Sequence, residues 1–197
     1  MRTVLIILVV FLSGCATIKP AVAEYRVVTQ VQKKDILAKG CKNKSLKILE
    51  AFSTNSLKSL SMDYTESGNR VFSYSESQWQ ESPNNFVISH LISNIRAQEL
   101  FSSVNLSKSR SKNSLLLETA IEEFMQFYSS DLKSSYVDIV ITFTLVDSST
   151  NAVMATKTFY SKVNAKTPDA QGGVDAINSA LSEIISQNIN WLEEVCK

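Results

Sequence analysis

The chain predicts an α+β domain: a mostly antiparallel sheet with two main helices packed on one face, folded as a single domain. Three observations carry that expectation. Tyr136 to Val146 is β-branched and aromatic throughout, and the turn Asp147-Ser148-Ser149-Thr150-Asn151 returns it as Val153 to Val163, which makes a hairpin. Phe86, Val87, Leu91, Ile92 and Ile95 recur three and four apart, as the buried face of a helix requires. Val174, Ile177, Leu181, Ile184, Ile185, Ile189 and Leu192 repeat that spacing near the C-terminus.

The remaining elements follow in chain order. Thr17 to Glu24 carries Pro20 and small residues and reads as a short tether. Tyr25 to Val31 alternates with period two and suits a strand, and Leu46 to Phe52 is a second strand. Between them Lys33 to Lys44 is a basic loop containing Gly40 and Cys41. Ser53 to Ser61 has no clear period. Arg70 to Glu76 is a strand after the turn signal Gly68-Asn69. Ser82-Pro83 opens the first helix, with the serine as N-cap and the proline at the first helical position; it should end near Leu100. Phe101 and Val104 enter the next strand, and Ser107 to Ser114 is a solvated loop.

Leu115 to Tyr128 fits two patterns. Glu118, Ala120, Glu122 and Glu123 suit a helix, whereas Leu115, Leu117, Thr119, Ile121 and Met125 fall on alternate positions. The expectation is a long strand, with Glu118 and Glu122 on one face and Glu123 on the other, as a solvated edge rather than a catalytic acid pair. Asp169 to Val195 is the closing helix. Gly172-Gly173 near its start costs about 1 kcal/mol per residue against Ala. The pair marks either a close approach to a neighbouring strand or a late-starting helix.

The N-terminus speaks to location. Arg2 is followed by the apolar run Val4 to Leu12, then by the small residues Ser13-Gly14, which is the order of a secretory leader. The run is about half the roughly 20 residues a membrane-spanning helix needs. Leu12-Ser13-Gly14-Cys15 resembles the bacterial lipobox, in which the Cys thiol takes a diacylglyceryl group, cleavage falls before it, and the new amine is acylated. Several acyl chains on one residue would anchor the protein almost permanently. The expected organisation is therefore residues 1–14 as leader, 15–24 as lipidated tether and 25–197 as the folded domain. Ala16 after the Cys favours the outer membrane, facing the periplasm of a Gram-negative bacterium. The competing reading is a soluble secreted protein with an incidental cysteine.

Removing the first 14 of 197 residues leaves about 183, enough for one domain with a real core. It also removes Arg2, so basic and acidic side chains balance at 19 each, and no electrostatic attraction to nucleic acid follows. The hydrophobic content of 44% argues for a globule. With Cys15 lipidated, Cys41 and Cys196 remain. An oxidising periplasm permits them to pair; the alternative is two unrelated thiols.

No catalytic or metal set assembles from the residue types. His90 is the only histidine, so a zinc constellation lacks a second His, and no Ser sits in a Gly-x-Ser-x-Gly elbow. Gly172-Gly173 lacks the further glycines of a nucleotide loop. The expectation is a non-enzyme with no cofactor and no metal. Lys33, Lys34, Lys39, Lys42 and Lys44 either touch anionic lipid headgroups or form a solvated loop.

Three stretches, taken with the lipobox, resemble the ABC-type transport auxiliary lipoprotein family, which includes the paraquat-inducible lipoprotein. They are "VFSYSESQWQESPNNFVISHLISNI", then "LLLETAIEEFMQFY" with "VDIVITFTLVD", then "VMATKTFYSKVNAKTPDAQGGVDAINSALSEI". The resemblance covers about Tyr25 to Trp191 and supports a strand for Leu115 to Tyr128. It implies a non-enzymatic, outer-membrane-attached partner of an MCE-domain protein and an ABC permease and ATPase, in systems that move phospholipids or other apolar molecules between the two membranes. A stand-alone structural or assembly lipoprotein of the envelope is the alternative. Within this frame Trp79 is either an exposed contact for the MCE partner or for lipid, or an aromatic packed under the helix entrance.

Overall fold

The computed structural model describes residues 21–34, 37–66 and 70–197. The lipobox and the Gly68-Asn69 turn lie outside those residues. Eight strands and two helices follow in order: β1 (Ala23–Tyr25), β2 (Ser45–Ile48), β3 (Ser61–Glu66), β4 (Arg70–Trp79), α1 (Pro83–Ala97), β5 (Ser103–Leu106), β6 (Leu115–Tyr128), β7 (Ser135–Asp147), β8 (Ala152–Asn164) and α2 (Ala170–Val195). All strands belong to one sheet, and the helices cover one of its faces.

β6 organises the sheet. Along one side it pairs antiparallel with β7 over its whole length, and β7 pairs antiparallel with β8. Along the other side its first three residues are parallel to β2 and its last three are parallel to β3. Phe52 bridges to Ala120 between those two. β5 flanks β2 and β1 flanks β4, both in parallel, and β3 and β4 form an antiparallel pair. The long ladders are antiparallel, as expected, but the sheet is mixed because the short outer strands join it in parallel. Such pairing needs crossovers, and the segment containing α1 supplies one of them, between β2 and β5.

The core forms where β7 meets the helices. Val137, Ile139, Ile141, Phe143 and Leu145 alternate toward α2, whose Ala180, Leu181, Ile184, Ile185 and Leu192 are fully or nearly fully buried. Phe86, Val87, Leu91, Ile92 and Ile95 of α1 are buried, as their spacing predicts. Pro83 occupies the first turn as expected, although the Ser82 side chain makes no capping hydrogen bond. Asp169 does cap α2, accepting from Gly172 N–H at 2.7 Å. The helix starts at Ala170, so the glycine pair is not a late start. A Cβ at Gly173 would collide with the Gln126 side chain of β6, which makes the close approach the operative reason.

Three strand expectations change. Of Tyr25 to Val31 only Tyr25 lies in a strand, and β1 begins two residues inside the segment read as tether. Regular pairing of the second strand stops at Ile48, with Phe52 rejoining β6 alone. β3 is a strand in a stretch for which the sequence suggested no element, and only Met62 and Thr65 of its six residues are buried.

Candidate functional site

Cys15 lies outside the described residues, so the site is built from the chain that follows it. After β1 the backbone leaves the sheet and runs, as residues 26–34, between the two helices. Helix side chains hold it mainly by its main chain. Asn178 Oδ1 accepts from Val28 N–H and Ser182 Oγ from Gln30 N–H, both at 2.9 Å, from the α2 side. From the α1 side, Gln98 accepts from Lys34 N–H at 3.0 Å through Oε1 and donates to Gln32 O at 3.3 Å through Nε2. The ammonium of Lys34 donates to Asn190 at 2.6 Å. Val27 is the one fully buried side chain of the run.

His90 belongs to this arrangement. Its Nε2 lies 3.2 Å from the Val27 carbonyl, which can only accept, so Nε2 carries the proton. Nδ1 then accepts from the Thr29 hydroxyl at 2.9 Å. Asn94 donates to the same hydroxyl oxygen at 3.1 Å. Burial pushes the His90 pKa below its usual value; nearby Arg26 adds to that, while the Val27 carbonyl and Glu81 oppose it. The ring borders a cavity of about 190 Å³ lined by Tyr25, Arg26, Gln80, Glu81, Ser89 and Ser93. The lone histidine is thus a packed residue that clamps backbone.

The run ends at a covalent junction. Cys41 and Cys196 form a disulfide with Cα atoms 5.2 Å apart, joining the loop after the run to the end of α2. Gly40 N–H donates to Cys196 O at 2.9 Å, and a Cβ at residue 40 would strike that oxygen. Around the junction Lys33, Lys34, Lys39 and Lys42 line an open cleft of about 580 Å³ with Gln98 and Glu99. The cleft lies at the carbonyl-rich ends of both helices, where cations are favoured. Lys33 pairs with the exposed Glu99 carboxylate at 2.7 Å, and Lys42 donates to the Glu99 carbonyl at 3.1 Å. These lysines therefore have structural partners already.

Trp79 is not a surface contact. It closes β4 with 4% of its area exposed, its ring edge-on to Phe86 at 5.5 Å between centroids. The exposed reading is corrected: the indole fills the space under the start of α1. Trp191 is buried against Phe159. The three glutamates also move. A bulge between Ile121 and Glu123 changes the alternation, so Phe124 and Gln126 are buried and Met125 is not. Glu123 therefore joins Glu118 and Glu122 on the side away from the core instead of pointing opposite, and burial raises its pKa. These acids lie on a central strand, not on an edge.

The helices leave the other sheet face open. There Thr144 and Thr156 lie 3.1 Å apart, Thr142 and Thr158 2.7 Å apart, and Glu122 accepts from Thr142. Phe52, 78% exposed, overhangs an open cleft of about 340 Å³ with Leu49, Glu118, Ala120, Thr142 and Thr144. β8 is an edge strand whose Tyr160 is 74% exposed, with Val153 and Met154 exposed nearer its start. Its lysines do not guard that edge, because Lys162 lies over the Tyr136 ring at 3.7 Å and Lys157 over Phe159 at 5.3 Å. Sequence reasoning missed this surface: alternation assigns a face to each residue but not which face the helices leave bare.

At the far end of β6, Tyr64, Phe72, Tyr74 and Tyr128 cluster, and the Tyr74 hydroxyl lies 2.6 Å from that of Tyr128. Burial, then the Tyr128 hydroxyl, pushes the Tyr74 pKa up. Among the described residues no helix is long and apolar enough to cross a membrane.

No family model matches the chain, and no curated protein matches it. Solved structures do resemble it. Protein XCC0632 from Xanthomonas campestris, of family DUF330, superposes with a TM-score of 0.79 at 13% identity, covering 88% of this chain and 96% of that one. An uncharacterized protein superposes with a TM-score of 0.68 at 12% identity, covering 87% and 99%. The hypothetical protein CT253 from Chlamydia trachomatis reaches 0.50 at 7% identity, covering 78% and 98%. At these identities what is shared is the fold.

Proposed function

We propose that the protein is a lipid-anchored, non-catalytic periplasmic subunit of an ABC/MCE-type transport system that moves phospholipids or other apolar molecules between the inner and outer membranes. The observation that carries this reading is the order of Leu12-Ser13-Gly14-Cys15, a few intervening residues, and then a folded domain that opens at β1. Cys15 takes the acyl chains, and the mature protein sits on the outer membrane facing the periplasm. The balanced charge of the mature chain fits a protein partner better than a polyanion.

The open face bearing Phe52, and the unguarded edge of β8 bearing Tyr160, supply uncommitted apolar surface of the kind a docking subunit needs. The partner in this reading is the MCE-domain protein, with the permease and ATPase reached through it.

Two measurements test the proposal. Mass spectrometry of the mature N-terminus should find a diacylglyceryl, N-acylated cysteine derived from Cys15; a bare thiol there overturns the anchor. Detergent pull-down of the lipidated protein should recover an MCE protein, and Tyr160→Glu should weaken that recovery. Failure to recover any MCE protein under conditions that keep such complexes intact overturns the transport role.

A further inference from the structure

We infer that residues 23–34 are a releasable strap, and that the Cys41–Cys196 disulfide is the stop that limits how far it peels. The inference rests on the lipid-anchor reading for its biological meaning, but its physical basis is independent of it.

The strap is held unlike the rest of the fold. β1 contributes three residues paired to one neighbour, β4, and its Ala23 and Glu24 are exposed. From Arg26 to Lys34 the polar attachments are hydrogen bonds with Asn178, Ser182, His90, Asn94, Gln98 and Asn190 and the exposed Lys33–Glu99 ion pair. Each such bond exchanges for a bond to water, so its net contribution is modest. Hydrophobic burial, the term that locks core elements, is confined to Val27 among the fully buried side chains. The helix side chains mostly grip main-chain groups, so the groove recognises an extended backbone rather than a particular sequence. A pull applied at the N-terminus meets these bonds one after another, starting with β1.

Peeling cannot run past Cys41. The sulfur bridge ties that residue to the C-terminal end of α2, and Gly40 lies directly against the Cys196 carbonyl. Docked, the tether from Cys15 to Ala23 is about 8 residues and spans at most ~29 Å; peeled back to the bridge it is about 26 residues and spans at most ~94 Å. The strap thus gives a lipid-anchored domain two reaches, and the core needs no unfolding to change between them.

The geometry provides a direct test. When the mature chain is stretched between its N-terminus and Lys197 with the disulfide intact, the load passes through the strap to Cys41, crosses to Cys196 and leaves at Lys197. Once the strap is off, residues 42–195 carry no load. Single-molecule force spectroscopy should show one release, shorter than the ~60 Å contour from Ala23 to Cys41 because the docked strap already spans part of that length, and no further step. The Cys41→Ser/Cys196→Ser protein should add a second, larger step at higher force, when the core unfolds. Asn178→Ala/Ser182→Ala should lower the force of the first step and leave that second step unchanged.

If the strap holds until the force that unfolds the core of the disulfide-free protein, the inference is overturned. Separation from the anchor reading is clean. A firm strap on an acylated Cys15 sinks only the strap, whereas a peeling strap on a bare Cys15 sinks only the anchor.

Discussion

Several side chains have roles opposite to the ones their residue types suggest. Trp79 looks like a contact and is a wedge: truncation to Ala should cost about 3–5 kcal/mol by urea denaturation and leave any partner affinity of the folded fraction unchanged. Gly173 looks like a helix breaker and is a spacer. Alanine there is intrinsically the better helix former, yet its methyl group must displace the Gln126 amide, whose Nε2 donates to Ser135 at 2.9 Å and to the Asp169 carbonyl at 3.1 Å. Gly173→Ala should therefore destabilise, by about 1–3 kcal/mol in the same assay.

His90 is unprotonated in the folded state, with its pKa depressed by burial. The unfolded chain binds a proton more readily, so this contribution to stability is full above about pH 6.5 and declines as pH falls below it. His90→Gln should flatten the dependence of Tm on pH between about 7 and 5. An unchanged slope would mean that other groups set it.

The bulge in β6 shows what local pattern can and cannot reveal. Both segments of the strand alternate correctly, but they alternate out of phase, and an unbroken period-two reading takes Met125 as buried in place of Phe124. One extra residue absorbs the shift. Deleting Glu122, which has no ladder partner opposite it, should leave Phe124 and Gln126 facing the core and unfolding cooperative, whereas deleting Glu118, which pairs with Thr144, should put the strand out of phase and abolish cooperative unfolding. Circular dichroism melts of the two variants separate these outcomes. β7, β8, α1 and α2 were legible because long ladders and long helices impose their period on many residues, whereas β6 fitted both a helix and a strand pattern. β3 was not, because Ser61-Met62-Asp63-Tyr64-Thr65-Glu66 owes its strand to β4 and β6 on either side. The strap was misread for the converse reason: Tyr25 to Val31 has a strand's alternation, but its backbone is satisfied by helix side chains, a partner no periodicity announces.

Taken together, the domain is a sheet armoured on one side and bare on the other, with residues 26–34 and the end of α2 gathered at the armoured side. The disulfide closes a loop of 155 residues, and its removal should cost a few kcal/mol, with about 5 kcal/mol as the chain-entropy ceiling. Comparing urea midpoints of the native and Cys41→Ser/Cys196→Ser proteins checks this. Of the candidate site, the cysteines were legible from their count, and their pairing was left open because distance in sequence says nothing about distance in space. The bare face and the strap became visible only once the helices had been placed.

The bridge between Cys41 and Cys196 has one more consequence, for survival in a compartment full of proteases. The exposed Ser107–Ser114 loop lies inside the closed ring of chain. A cut there would leave two fragments still bonded to each other and still laced together where β2 and β3 pair with β6. A nicked molecule would run as two bands only after reduction.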